Sequence, residues 1–237
     1  MSFALRTLAF IPPTNENYKD LSASTLTITE RDGLHENFDY FRALVRSKAH
    51  AWERHNSFSH EFGTMAQNVG FHIRYEPPAP GIGSRNRADI RIYDFDGDGM
   101  DALVDNTVSA TDSIATMHQA AHTAGFVVHL REDDKISKYT PAAQLLGASF
   151  FPLAIEDAGF FGRSVHNFVS KCKARAGDYE FSLPESTTWA ARSFSDYWYQ
   201  RLSCKLVTGN AAMFRKVRVR CLGEPQFLGA GISLNTF

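Results

Sequence analysis

The residues with the most chemistry to offer lie between Ala88 and Tyr139. Asp89 precedes the acid-rich stretch DFDGDGMDALVDNT (94–107), which contains Asp105, and the segment KISKY (135–139) follows. Asp94, Asp96 and Asp98 stand at the first, third and fifth places of a calcium-loop pattern, with Gly99 sixth and Asp105 twelfth. A calcium loop of the EF-hand type needs a helix on each side and ends on a bidentate Glu. Here both flanks, ADIRIY and ALVDNTV, alternate apolar and polar residues as strands do, and the twelfth place holds Asp. The stretch therefore reads as a β-hairpin, since Asp-Gly and Gly-Asp pairs favour tight turns. A turn centred on Gly97 puts Asp89 and Asp105 opposite each other, because both are eight residues from that centre. Cross-strand partners on one face have Cβ atoms about 4.5–5.5 Å apart. Two carboxylates that close repel unless a proton or cation lies between them. A hard divalent ion such as Mg²⁺ (or Mn²⁺) suits such a pair, because it takes oxygen ligands and keeps several waters. The alternative is a solvated hairpin with spare acids. A register slip of one residue would part the pair.

The flanking elements must position these residues. Phe58, Phe62, Met65, Ala66 and Val69 form one face of a helix expected from about Glu36 to Val69 and ended by Gly70. FHIRYEP, ADIRIYDF and ALVDNTVS read as three strands, with PAPGIGSRNR as a loop. Thr111–Asp112–Ser113 offers N-caps for a helix running to about Thr123. FVVHL reads as a short strand and REDDKISKY as helical. Thr140–Pro141 reads as the N-cap and first residue of a new helix, which Gly147 ends. SFFPLAIED reads as a buried strand, GRSVHNFVSKCKAR as a helix, and 189–220 as mainly helical. The order implies an α/β (α+β) protein with a mixed central sheet flanked by helices.

Composition narrows the class. The 237 residues are 43% hydrophobic and 22% charged, which suits one substantial core. Net charge is −1, so global charge does not mark a nucleic-acid binder, yet charge is uneven along the chain. Residues 91–134 carry nine acids against two bases, and 160–222 carry eleven bases against four acids. An acidic centre with a basic flank fits a metal site beside a phosphate-binding surface, or two solvated faces. Cys172, Cys204 and Cys221 form no CxxC pair and read as buried or idle in a reduced compartment. The apolar run near the N-terminus is too short for a membrane span, and the expectation is an intracellular protein. His118 and His122, four apart, read as a helix face lacking a third ligand; His55 and His60 read as structural polar residues. FRKVRVR (214–220) is either a nucleic-acid contact or a solvated strand.

Five segments in order carry a resemblance: RHNSFSHEF, NRADIRI, DALVDNTVS, DDKISKY and ASFFPLAIEDAGFFG. With the late stretch RLSCKLVTGNA (201–211), they resemble the restriction-like endonuclease domain of site-specific non-LTR retrotransposons, in the PD-(D/E)XK nuclease superfamily. The resemblance covers about His50 to Phe214. It implies a core of helix, three-stranded meander, helix and strand, with the site at the sheet edge. Residues 49–180 would be that core. Residues 1–48 would precede it or pack on it, and 181–237 would be a mainly helical, basic extension of the same domain.

The resemblance also implies a Mg²⁺- or Mn²⁺-dependent endonuclease that hydrolyses DNA phosphodiesters, with the nucleus as one setting. Asp89 and Asp105 would be the metal-binding acids. The catalytic lysine would come from Lys135 or Lys138, on the helix after the third strand, with Tyr139 completing the pair KY. Thr107 holds the place a standard motif gives to lysine. Glu61 matches an optional extra acid on the first helix. Arg85 and Arg87 would contact phosphates near the metal, and Lys171, Lys173, Arg201 and Lys205 would hold the nucleic-acid backbone. The sequence departs from the family in having Ala88 before Asp89, a long Asp89–Asp105 spacing, and Pro141 after KY. It holds no zinc knuckle and no reverse transcriptase, and so reads as a stand-alone or excised domain. The rival expectation is an inactive nuclease fold that binds nucleic acid or a protein partner.

Overall fold

The computed structural model describes residues 48–81, 87–111, 116–177 and 191–222. Helix α1 (Lys48–Asn68) leads into three antiparallel strands, β1 (Ile73–Tyr75), β2 (Ile90–Gly97) and β3 (Met100–Ser109). A short helix α2 (Met117–His122) and the long helix α3 (Phe126–Leu145) connect β3 to β4 (Ala148–Glu156). Helices α4 (Arg163–Ala176) and α5 (Phe194–Leu222) follow. The sheet order is β1-β2-β3-β4, and β4 runs parallel to β3. A parallel pair needs a crossover connection, and α3 supplies it.

The alternation along β3 divides the molecule into two sides. Ala102 and Val104 join the main core with Phe58, Phe62, Met65 and Ala66 of α1. Leu103 turns to the other side and meets Ala143 of α3. The main core also holds Phe168 and Val169 of α4 and Trp198, Leu202 and Leu206 of α5. Helix α5 is thus an integral wall of this core. Gly70, at φ 87°, takes the left-handed conformation beyond the end of α1, as its sequence position suggests.

Two local expectations are corrected. FVVHL is not a strand: Phe126 to Leu130 are the first residues of α3. The buried residues Val127, Val128, Glu132, Tyr139, Ala142 and Ala143 repeat at helical spacing, with the two valines opening the stripe. The backbone N–H groups of Val127 and Val128 donate to the buried Glu156 carboxylate, which caps the helix from β4. The β-branched run conceals this start because its capping group is nearly thirty residues away in sequence.

Nor does Pro141 begin a new helix; it lies inside α3, which runs unbroken through KISKY to Leu145. Proline removes the N–H that would bond the Ser137 carbonyl. Both Pro141 and Ser137 are exposed, so water can satisfy that carbonyl, and the helix continues for one more turn. Among the described residues no helix is long and apolar enough to cross a membrane.

Candidate active site

The hairpin between β2 and β3 sets the site. Its turn is Asp98–Gly99, not Gly97; both residues have positive φ, 53° and 78°, and the flanking Gly97 pairs with Met100. This is the two-residue turn that Asp-Gly favours. A turn there would by itself place Asp89 and Asp105 out of register. The strand corrects this. Between Ile92 and Gly97 the register shifts, so that Tyr93, Asp94, Phe95 and Asp96 span a stretch that β3 covers with Asp101 alone.

Below this bulge the pairs are Ile92 with Ala102, Arg91 with Leu103 and Ile90 with Val104. Continued by one residue, that register brings Asp89 to Asp105. Asp101 holds the bulge. Its carboxylate accepts from the Asp94 backbone N–H at 3.0 Å and from Arg91 Nε at 2.7 Å. Asp94 Oδ1 accepts from Gly99 N–H at 2.8 Å, and Asp96 is ion-paired with Lys171. The acids of the calcium-like loop therefore serve the turn, between strands rather than helices.

At the roots of the strands the acids gather. Asp105 is buried on the α3 side of β3 and forms an ion pair with Lys135. Asp89 Oδ2 accepts from the Asn106 backbone N–H at 2.6 Å and lies 3.2 Å from His55 Nε2 of α1. Burial raises the pKa of Asp105 above the ordinary value; the Asp89 carboxylate pushes it further up, and Lys135 only partly opposes them. Tyr139, one turn on from Lys135, is held beneath its neighbours. Its ring stacks on Phe150 at 5.2 Å, and Lys138 Nζ sits 4.8 Å from the ring centroid. Burial, then the Asp105 and Asp89 charges, push its phenol up to about 12. It stays a proton donor at neutral pH. For His55, burial disfavours the imidazolium, but the Asp89 carboxylate more than offsets this and raises its pKa.

The site thus brings together Asp89, Asp105, Lys135 and Tyr139, and places Lys138 at its exposed rim. It does not bring Glu61 there. Glu61 is buried and ion-paired with Arg201 of α5, with Lys205 Nζ 3.8 Å away. Arg201 also donates to Tyr197 Oη at 2.8 Å and covers the Trp198 ring at 5.0 Å. The expected extra acid and two expected backbone-holding bases are therefore partners of one another. Arg87 pairs with Glu76 at 3.3 Å, Lys173 is exposed, and Arg85 lies outside the described residues.

Three neighbours escaped the sequence reading. His55, expected to be merely structural, touches Asp89. Ser59 Oγ accepts from Asn106 Nδ2 at 2.7 Å. Asn106 itself follows Asp105, and its backbone orients Asp89. The four-residue spacing of His55 and Ser59 on one helix was the available signal. His118 and His122 stack on each other at 4.9 Å, and among the described residues no group of three or more His, Cys, Asp or Glu side chains could hold a metal. Cys172 is buried, with its thiol pushed up to about 12 by that burial, which leaves it unreactive at neutral pH. FRKVRVR lies within α5, not in a strand. No protein-family model matches the chain, and no curated protein matches it.

Proposed function

We propose that the chain is a metal-dependent endonuclease of the PD-(D/E)XK type, related to the restriction-like endonucleases of retrotransposons, acting on DNA. The observation that carries this reading is the meeting of Asp89 and Asp105 across one register of β2 and β3, with Lys135 and Tyr139 presented to them by α3. The element order supports it too: a helix, a three-stranded antiparallel meander, a helix, then a parallel strand.

The donor set fits a hard divalent ion. Two carboxylates share a largely buried site in which burial and mutual repulsion keep one of them reluctant to ionise. A cation there relieves both. Asp89 and Asp105 would hold Mg²⁺ or Mn²⁺, which would lower the pKa of a bound water and stabilise charge on a phosphate. Lys135 orients that water or meets developing negative charge. Tyr139 keeps its hydroxyl proton and can donate to a phosphate oxygen. His55 and the Asn106 N–H fix the direction of the Asp89 carboxylate.

The test is plasmid nicking in Mg²⁺ or Mn²⁺. The expected result is cleavage by the wild type and none by Asp105→Ala, with both proteins folded by circular dichroism. Equal nicking by the two would sink the assignment. One observation favours a second reading, a nuclease-like fold that binds nucleic acid or protein without cutting: Lys135 and His55 already compensate the two acids. Oligonucleotide binding with no cleavage in either metal would decide for it.

A further inference from the structure

The first turns of helix α1 carry an exposed indole beside the site. Trp52 is 68% exposed, the most exposed aromatic among the described large hydrophobic residues. Its place on the helix is informative. Seven residues separate it from Ser59, so the two lie about 20° apart around the helix axis. Ser59 bonds Asn106, whose backbone N–H bonds Asp89. His55, which touches Asp89, is about 4.5 Å along the axis from Trp52. The face of α1 that carries Ser59 and His55 to the acids thus carries Trp52 just beyond them.

Other exposed aromatics have partners: Arg91 covers Tyr93 at 5.2 Å, and His129 meets Phe160 at 6.3 Å. Trp52 has no ring or cation partner among the described residues. A flat, uncovered indole beside a phosphate-handling cluster matches the platform on which unpaired bases stack. In a duplex both faces of each base are already occupied by its neighbours.

Resting on the nuclease reading of the acids, we infer that Trp52 stacks on an unpaired base next to the phosphate at Asp89 and Asp105, making single-stranded or flapped DNA the preferred substrate. The test is fluorescence anisotropy of the full chain with a short labelled single strand, the same sequence as a duplex, and the same sequence as RNA. EDTA is present, so that no cleavage is needed. Trp52→Ala should weaken single-strand binding roughly tenfold and leave duplex binding within about twofold, while Trp52→Phe keeps most of the affinity. Equal losses on single strand and duplex, or no loss, overturn the inference. So does a loss confined to the RNA strand, which would reassign the substrate. Indole emission unquenched by iodide in the free protein, with no difference between wild type and Trp52→Phe, would show the ring to be covered and overturn it as well. Trp52-dependent binding without any cleavage in Mg²⁺ would defeat the nuclease reading and leave the stacking site standing. Cleavage that is indifferent to Trp52 would do the reverse.

Discussion

Helix α1 faces two clusters of acids, and they are built on opposite principles. Along the seam with α5 each acid has its own base. Glu53 is paired with Lys216 and Glu61 with Arg201, and between them Arg54 donates to Asn210 Oδ1 at 2.5 Å. Asn210 in turn donates to the Asp157 carbonyl at 3.1 Å. At the strand roots, by contrast, Asp89 and Asp105 repel each other in a shared site, and burial raises the Asp105 pKa despite Lys135. A cluster that satisfies itself holds two helices together. A cluster whose carboxylates still repel each other in a buried site has affinity for a cation, and folding tolerates it at some cost in stability.

The comparison breaks most sharply at Asp105. Asp105→Ala should reduce nicking by about a thousandfold or more, equivalent to about 4 kcal/mol of barrier, while its melting temperature holds or rises. A large drop in stability with activity retained would reverse the roles assigned to the two regions. Glu61→Ala should do the opposite. It strands Arg201 against buried surroundings and should cost about 3 kcal/mol in urea unfolding, with nicking per folded molecule unchanged.

Gly209 gives a smaller effect on the same seam. A Cβ there would lie 2.7 Å from Arg54 Cγ, so Gly209→Ala should lose about 1–2 kcal/mol through overpacking, read as a shift in the urea midpoint. Smallest is the pH effect. The folded protein holds the Asp105 proton more tightly than the unfolded chain does. Asp105 therefore favours folding most below the ordinary carboxylate pKa, and this advantage is lost as pH rises through its elevated pKa. Asp105→Asn cannot titrate, so its stability relative to wild type should climb as pH rises above the ordinary carboxylate pKa of about 4. A flat difference with rising pH would mean that Asp105 is not under strain. Added Mg²⁺ should raise the wild-type melting temperature and leave that of Asp105→Asn in place.

How much of this could be read from sequence depends on how local each cause is. The strands and the face of α1 were legible, because alternation and periodicity record which side of an element is buried. The pairing of Asp89 with Asp105 was expected from a turn at Gly97, and the structure reaches it instead through a turn at Asp98–Gly99 offset by the bulge. The turn was legible in kind but misplaced, and the bulge that restores the register left no mark that periodicity could detect. FVVHL was misread because its helical cap is Glu156, on another strand. Pro141 was misread because its cost depends on whether the Ser137 carbonyl meets water, which only the fold decides. Glu61 looked like a further member of the acid site. Its partner Arg201 is 140 residues away, and nothing local shows that α5 would reach it.

The bulge in β2 also separates two lengths that a simple hairpin would lock together. In an unbroken ladder, adding one residue at the turn would move every pair below it by a step and carry Asp105 to the other face. Here the slack lies between Ile92 and Gly97, above the three pairs that fix the acids. The tip can therefore grow or shrink over evolutionary time, or accept an engineered peptide at Asp98–Gly99, while the spacing of the two carboxylates stays where Ile90, Arg91 and Ile92 set it.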